Sequence, residues 1–214
     1  MRTLYLGTDP SRYVHAGELF HYPVIRIVPR KVLDEAVMRE AARCTHWIFT
    51  SPNAVRHWFS NWYNGTYDIT LAIGEASAAL LLERGIQARV APVATQEGMI
   101  ALLETLDLQG ARIGWPRSSQ ARPVLSVYCT EQRIPLLAID LYEPVAQRLE
   151  PVPDLRLFDA IVFTSPSTVD AFLAIFGPIP LDKKIIPIGP VTEERLEREV
   201  QYWERPIYPS EHPL

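Results

Sequence analysis

The tetrapeptide Phe-Thr-Ser-Pro occurs twice in this chain, at residues 49–52 and at residues 163–166. Each copy follows a short apolar run and precedes a segment with the periodicity of a helix. A second element, an apolar run that ends in glycine, follows each copy at Gly74 and at Gly189. From the serine of the tetrapeptide to this glycine, the spacing is 23 residues in the first copy and 24 in the second. Two motifs in the same order at nearly the same spacing predict a duplicated α/β unit.

Short β-branched apolar runs alternate with segments of helical periodicity, which predicts a doubly wound α/β fold with parallel sheets. The predicted strands are residues 3–6, 24–28, 46–49, 71–73, 88–91, 111–114, 136–141, 160–163, 185–188 and 202–206. The predicted helices are residues 31–43, 53–62, 76–84, 96–105, 123–131, 167–176 and 191–200. A further helix is predicted between Gly7 and the strand at residues 24–28.

The duplicated parts alternate along the chain. A strand, a polar turn, a helix and a second strand open the sequence, and a similar unit begins at residue 111. A Phe-Thr-Ser-Pro block follows each of these units. This order fits two consecutive domains and also two interleaved domains, and periodicity alone does not choose between them.

Composition and charge exclude several classes of protein. With 214 residues the chain can form one large domain or two of about 100 residues each. No apolar run reaches the roughly 18 residues that span a bilayer, and the N-terminus lacks the pattern of a signal peptide. Two cysteines make no disulfide framework, and a net charge of −4 without a basic run argues against a nucleic-acid binder. We therefore expect a cytoplasmic protein that binds neither membranes nor nucleic acids.

The usual signatures of metal, nucleotide and nucleophile sites are also missing from the sequence. The five histidines have no cysteine or carboxylate at metal-ligand spacing. The glycines form neither a dinucleotide fingerprint nor a P-loop, and there is no nucleophile elbow. His57 is interpreted as a surface or partner-facing residue. The nearby aromatic residues are interpreted as core or partner surface: Trp58, Trp62, Tyr63 and Tyr67.

The repeated motifs predict capped helix starts at the ends of strands. Ser51 and Ser165 each precede a proline that suits the first helical turn, so each serine is predicted to be an N-cap. Gly74 and Gly189 are predicted to form tight turns that bring the backbone close to a ligand. In a parallel sheet these starts share the carboxyl edge, where N–H groups and helix dipoles favour carboxylates or phosphates. Alternatively, the serines are ordinary caps that stabilise their helices by about 1 kcal/mol each.

Six segments, taken in order, resemble the uroporphyrinogen-III synthase family. They are residues 49–55, 72–79, 94–98, 141–144, 163–169 and 188–192. The resemblance implies two similar flavodoxin-like α/β domains with parallel sheets, joined by a two-stranded linker. Carried onto this chain, the parts are domain one (1–28 and 146–214), domain two (32–139) and the linker strands (26–31 and 140–145).

The resemblance also implies a reaction. The family is a group of lyases that close linear hydroxymethylbilane, a carrier of eight carboxylates, into uroporphyrinogen III in heme and other tetrapyrrole biosynthesis. The terminal pyrrole ring is inverted during closure. No metal or organic cofactor takes part, and the resemblance implies a monomer whose partner is this small-molecule substrate.

The resemblance assigns roles to individual residues. Tyr142 lies in a segment where the family keeps a tyrosine near its cleft. A phenol with the ordinary pKa of about 10 stays protonated at neutral pH and can donate to a departing hydroxyl. The structural alternative is a half-buried strand tyrosine. The predicted substrate-binding residues are Thr8, Thr50, Ser51, Asn53, Gly74, Ser118, Thr164, Ser165, Ser167 and Gly189.

Two stretches depart from the family pattern. Where the family has an Arg-Pro pair after its first strand, this chain has Asp9, predicted to cap a helix that starts at Pro10. Asp9 adds negative charge where carboxylates bind, and Arg12 is expected to compensate. After Val200 the chain leaves no room for the helix that residues 95–105 supply in the other half.

These departures keep two rival functions open. One is a non-catalytic relative that binds a tetrapyrrole or another polyanion, for example in regulation. The other is a two-domain binding protein of the periplasmic type, against which the missing signal peptide counts.

Overall fold

The computed structural model describes residues 1–11, 13–30, 34–61 and 66–199. The chain divides into two compact units. The first unit consists of the described residues of 1–26 and 146–199, and the second unit consists of those of 27–145. No helix within these described ranges has both the length and the apolar character that crossing a bilayer requires.

Strands and helices alternate through most of the chain. In chain order the strands are β1 (Arg2–Tyr5), β2 (Glu18–His21), β3 (Ile25–Pro29), β4 (His46–Phe49), β5 (Ile69–Ala72), β6 (Arg89–Val90), β7 (Ile113–Ser118), β8 (Leu136–Ala146), β9 (Ala160–Phe163) and β10 (Lys184–Pro187). The helices are α1 (Glu35–Ala41), α2 (Pro52–Asn61), α3 (Glu75–Leu82), α4 (Gln96–Leu103), α5 (Val124–Glu131), α6 (Pro166–Phe176) and α7 (Pro190–Glu199), with a 3₁₀ turn at Leu155–Leu157.

Each unit has its own parallel sheet. The first unit has the strand order β10-β9-β1-β2, with every pair parallel. In the second unit β8, β7, β4, β5 and β6 are neighbours in that order and pair in parallel, and β3 lies beside β8. Two strands precede Phe-Thr-Ser-Pro, β9 and β4, and they have corresponding places in the two sheets. β9 lies between β10 and β1, and β4 lies between β5 and β7. The prediction of an α/β fold with parallel sheets is confirmed.

The sheet of the second unit is covered on both faces, which explains its continuous apolar strands. All four residues of β4 are buried. Successive side chains of a strand point to opposite faces. Accordingly, Trp47 and Phe49 pack in one hydrophobic cluster with Trp58 of α2, while Ile48 packs in another with Met99 of α4. The core of the first unit is a third cluster, which includes residues of β1, β9 and α6.

The predicted helix between Gly7 and residue 24 is wrong. The structure has β2 in this stretch, in parallel register with β1. Gly17, immediately before β2, has a φ of +91°, a left-handed conformation that interrupts a helix. A Cβ there would lie 2.3 Å from the carbonyl oxygen of Met1. This close approach brings the chain alongside β1, where pairing satisfies its backbone.

Two strands are longer than predicted. β7 continues to Ser118 although Pro116 has no N–H for the ladder. β8 continues to Ala146, so the predicted linker stretch 140–145 is part of one long strand. The predicted strand at 202–206 and the end of the last helix at Val200 lie outside the described residues. The same is true of Arg12, Trp62 and Tyr63.

Candidate active site

Four neighbouring strands of the second unit bring six predicted site residues to one edge of its sheet. Because β8, β7, β4 and β5 are adjacent and parallel, their carboxyl ends lie at the same edge. Tyr142 is paired with Ser118 in the β7–β8 register. The residues at this edge are Thr50, Ser51 and Asn53 after β4, Gly74 after β5, Ser118 at the end of β7 and Tyr142 in β8.

Ser51 makes one local hydrogen bond, as a helix cap, and one hydrogen bond to a distant strand. Pro52 is the first residue of α2, where its missing N–H would have no partner in any case. The N–H of Ala54 donates to Oγ of Ser51 at 2.9 Å, so the serine caps the helix as predicted. Oγ of Ser51 also lies 2.6 Å from the hydroxyl oxygen of Tyr142, 91 residues away in the sequence. The motif thus positions the serine, and the sheet supplies a phenol.

Tyr142 is buried, and not half-buried as in the structural alternative. Only 5% of the residue is exposed, and its ring packs in the cluster that contains Trp47 and Leu141. The His57 ring stacks on it, with centroids 5.3 Å apart and 25° between the planes. Burial raises the pKa of Tyr142, and the hydrogen bond with Ser51 acts in the opposite direction. The phenol is therefore protonated at neutral pH and is available as a donor.

His57 is half-buried beside this phenol, so its interpretation as a surface or partner-facing residue missed its contact with the candidate site. Burial lowers the pKa of His57, and the nearby charge of Arg56 lowers it further. A neutral imidazole at this place keeps a positive charge away from Tyr142. The helical spacing of four from residue 53 to residue 57 was the one signal that could have placed His57 on the side of α2 near Asn53.

Thr50 accepts a hydrogen bond from a buried indole. Nε1 of Trp115 donates to Oγ1 of Thr50 at 3.0 Å, and the Arg117 guanidinium lies over the Trp115 ring at 4.6 Å. Nε of Arg117 also donates to the carboxylate of Asp140 at 2.7 Å. The strand end of β7 therefore carries a positive charge, largely balanced by Asp140. No motif marks Arg117, so the sequence analysis did not find it.

The other three predicted residues of this edge play smaller structural parts. Oδ1 of Asn53 accepts from Arg56 at 3.3 Å, and Oγ of Ser118 accepts from the N–H of Gln120 at 3.2 Å. Gly74 is the N-cap of α3 with a φ of −170°, an extended conformation open to any residue. A Cβ on Gly74 would make an ordinary 3.5 Å contact with Ala94. Gly74 does lie in the turn between β5 and α3, but this turn does not use the conformational freedom of glycine.

In the first unit the serine and threonine of the second Phe-Thr-Ser-Pro form hydrogen bonds with the helix that follows them. Ser165 and Thr168 form a reciprocal capping box at the start of α6. Oγ of Ser165 also lies 2.9 Å from Oγ of Ser167. The backbone N–H of Thr164 donates to Oγ1 of Thr168 at 3.1 Å. The predicted cap at Ser165 is confirmed, and within the described residues the hydrogen bonds of its side chain are all to residues of its own helix.

The remaining predicted residues of the first unit lie in turns at the same sheet edge. Thr8 is exposed in the bend after β1. Asp9 does not begin a helix as predicted; its carboxylate instead accepts from the N–H of Ser11 at 2.9 Å. Gly189, just before α7, has a φ of +85°, so here the prediction of a turn that needs glycine is confirmed.

Comparison with known proteins identifies the family. The family model described as "Uroporphyrinogen-III synthase HemD" matches residues 14–209. This chain belongs to the uroporphyrinogen-III synthase family. A protein of Methanothermobacter thermautotrophicus named "Putative uroporphyrinogen-III synthase" is 28% identical over 218 aligned positions, which cover 88% of this chain and 86% of that protein.

Solved structures of the family share the fold. The crystal structure of uroporphyrinogen-III synthetase from Helicobacter pylori matches with a TM-score of 0.64 at 18% identity, covering 94% of this chain and 88% of that chain. A mutant uroporphyrinogen III synthase from Thermus thermophilus matches with a TM-score of 0.59 at 17% identity, covering 92% and 88%. The mixed α/β architecture with parallel sheets is thus the architecture of the uroporphyrinogen-III synthases.

Other reactive groups of this synthase-family chain are structural. Cys44 and Cys129 are buried free thiols, and burial raises the pKa of each to about 11, so both are protonated and unreactive at neutral pH. Within the described ranges no group of three or more histidine, cysteine, aspartate and glutamate side chains is arranged to hold a metal ion. The Tyr142–Ser51 pair is a polar contact that joins the start of α2 to β8 at this edge of the sheet.

Proposed function

We propose that this protein is an active uroporphyrinogen-III synthase that closes hydroxymethylbilane to uroporphyrinogen III. Membership of the family supports this function and the assignment to the lyases. The observation that carries the proposal to the residues is the 2.6 Å contact between Tyr142 and Ser51 at the carboxyl edge of the second unit. It combines a protonated phenol with a hydroxyl that the start of α2 holds in place.

The reaction requires little beyond positioning and a proton donor. The hydroxyl leaves one end of the substrate, and the resulting cationic azafulvene attacks the substituted carbon of the terminal ring. A spiro intermediate then fragments and recloses with that ring inverted. Holding a flexible chain in a reactive geometry accounts for most of such a rate enhancement, and fixed dipoles stabilise the transient charges.

We propose that the strand ends of both units bind the substrate carboxylates. Thr50, Ser51 and Asn53 come from the second unit and Thr164, Ser165 and Ser167 from the first. Hydroxyl groups and the N–H groups of helix starts are suitable partners for carboxylates. Thr8, Gly74, Ser118 and Gly189 complete the proposed set.

The domain arrangement that we propose follows the two compact units. Residues 1–28 with 146–214 form one domain and residues 32–139 form the other. The supporting observation is that the chain divides at residues 26–27 and 145–146. We propose that β3 and the end of β8, which lie side by side, supply the two linker strands. We also propose that the protein acts as a cytoplasmic monomer without a cofactor.

The test is the isomer composition of the product. Hydroxymethylbilane is generated in situ by its synthase, this protein is added, and the products are oxidised and separated as porphyrin isomers. We expect the type III isomer to dominate. Only type I, the product of spontaneous closure, would contradict catalysis and favour a tetrapyrrole-binding relative, which titration with uroporphyrin would then measure.

A further inference from the structure

Among the residues that the structure describes, the hydrogen bonds of the Ser51 hydroxyl leave its hydrogen available for an outside partner. A serine hydroxyl can accept two hydrogen bonds and donate one. Oγ of Ser51 accepts from the N–H of Ala54 at 2.9 Å and lies 2.6 Å from the Tyr142 hydroxyl. Because a phenol is a much stronger acid than an aliphatic alcohol, Tyr142 is the better donor of the two. Ser51 then has its acceptor sites filled, and its own O–H has no acceptor among the described residues, so it can donate to a substrate.

The two hydroxyl-bearing residues also differ in access. Tyr142 is 5% exposed, whereas Ser51 is half-buried at the start of α2. The Tyr142 ring is held by its cluster on one side and by the stacked His57 ring, 5.3 Å away. A substrate at the edge of the sheet therefore reaches the serine before it reaches the phenol.

We propose that Ser51 is the residue that contacts the departing hydroxyl of the substrate, and that Tyr142 acts through Ser51 as a positioning residue and proton source. This inference rests on the proposed function and changes the roles within it. The resemblance alone points to Tyr142 as the group in contact with the substrate. The buried, serine-bound phenol of the structure points to a two-residue relay instead.

The relay conserves protons over the reaction. Ser51 gives its proton to the hydroxyl, which leaves as water when the C–O bond breaks and the azafulvene forms. Tyr142 passes its proton to Oγ of Ser51 and becomes a phenolate. When the reclosed ring loses a proton and regains its aromaticity, that proton returns through Ser51 to Tyr142. The net change is the loss of one water from the substrate.

The experiment is a double-mutant cycle on kcat for type III formation. Loss of a positioned proton donor lowers rates by about 10²-fold or more. We expect Ser51→Ala to lower kcat by about this factor and Tyr142→Phe by on the order of tenfold, since the serine keeps its own proton. In the Ser51→Ala background, Tyr142→Phe should have no further effect, because the phenol then has no route to the substrate.

Two further variants separate the relay from a merely structural role. Ser51→Thr restores a hydroxyl at the same place and should recover most of kcat. Asp34→Ala is the matched control, because Asp34 caps α1 through a hydrogen bond of the same kind from Val37 at 2.9 Å. It should cost similar helix stability, about 1 kcal/mol, and leave kcat unchanged.

The possible failures are distinguishable. If the unmodified protein forms type III but Tyr142→Phe is slower than Ser51→Ala, or the two losses multiply in the double variant, Tyr142 acts directly and the inference is wrong. The inference is also wrong if Ser51→Thr does not recover activity while remaining folded. An unmodified protein that yields only type I contradicts the proposed function, and the relay with it.

Discussion

Ser51 and Ser165 occupy the same position in the two copies of Phe-Thr-Ser-Pro, and both cap the helix that follows. Their second partners differ. Ser165 lies 2.9 Å from the hydroxyl of Ser167 in its own helix, whereas Ser51 lies 2.6 Å from the phenol of Tyr142, which comes from a distant strand. The four residues of the motif determine the cap, and the residue on a neighbouring strand determines whether the serine can take part in chemistry.

The corresponding strands of the two sheets each bring a tyrosine near, but the two phenols have different hydrogen-bond partners. β2 lies two places from β9 in the first unit, as β8 lies two places from β4 in the second. Tyr142 lies within β8, and Tyr22 directly follows β2, but the Tyr22 hydroxyl donates to the carbonyl of Leu149 at 2.7 Å. It also accepts from the N–H of the same residue at 3.1 Å. The first unit therefore uses its phenol to hold the chain, and the second uses its phenol at the candidate active site.

The largest effect on stability should come from replacing a glycine that packs against a neighbouring side chain, and Gly114 of β7 is the strongest case. A Cβ on Gly114 would lie 2.6 Å from the ring of Trp47. Trp47 is buried, and the centroid of its ring lies 4.8 Å from that of Trp58. We expect Gly114→Ala to lower the free energy of unfolding of the second unit by about 1–3 kcal/mol, the usual cost of overpacking. Urea unfolding followed by tryptophan fluorescence measures it, since four of the five tryptophans, at positions 47, 58, 62 and 115, belong to this unit.

Gly7→Ala is the matched variant in the first unit. Its Cβ would approach the side chain of Thr164 at 2.6 Å and the ring of Tyr5 at 3.0 Å, but Thr164 is half-buried whereas Trp47 is fully buried. We expect a smaller loss, measured by far-ultraviolet circular dichroism because the first unit has few tryptophans. A loss in Gly7→Ala as large as that in Gly114→Ala would show that the two edges are equally rigid.

A smaller effect is expected in acid. The side-chain hydrogen bond from Arg122 lowers the pKa of Glu97 to about 2, from an ordinary value of 4.5. A lowered carboxyl pKa stabilises the folded state above the unfolded pKa, and this contribution is lost as the pH falls from 4.5 towards about 2. Because 55% of the Glu97 side chain is exposed, the contribution is at most about 1 kcal/mol.

Glu97→Gln tests this contribution through the pH dependence of unfolding. The variant should lose less stability than the unmodified protein over that acid range, because glutamine does not titrate. If the free energy of unfolding of the two proteins changed equally with pH, the ion pair between Glu97 and Arg122 would not contribute to stability. Activity at neutral pH should be unaffected.

Several features could be predicted because they depend on local sequence. The caps at Ser51 and Ser165 follow from serine before proline, and the buried strand β4 follows from its apolar run. The strand β2 was missed because its pairing with β1 and the left-handed Gly17 are properties of the folded chain. Gly74 was overinterpreted, since a glycine in a turn pattern does not reveal its φ.

The candidate site was predictable in its members but not in its connections. Tyr142 and Ser51 were both named, yet nothing in the sequence indicates that their hydroxyl oxygens meet across β7. The stacking of His57 on Tyr142 depends on the same tertiary arrangement. Contacts between residues far apart in one sequence require the register of the sheet, which periodicity does not give.

The most direct test of the account is to compare Ser51→Ala with Ser165→Ala in the isomer assay. Both variants lose an N-cap, so both should lose about 1 kcal/mol of stability. We predict that Ser51→Ala lowers kcat for type III by about 10²-fold. Ser165→Ala should act mainly through KM, with a smaller loss. Equal losses of kcat in the two variants, or a larger loss in Ser165→Ala, would contradict the claim that the two copies of the motif have different roles.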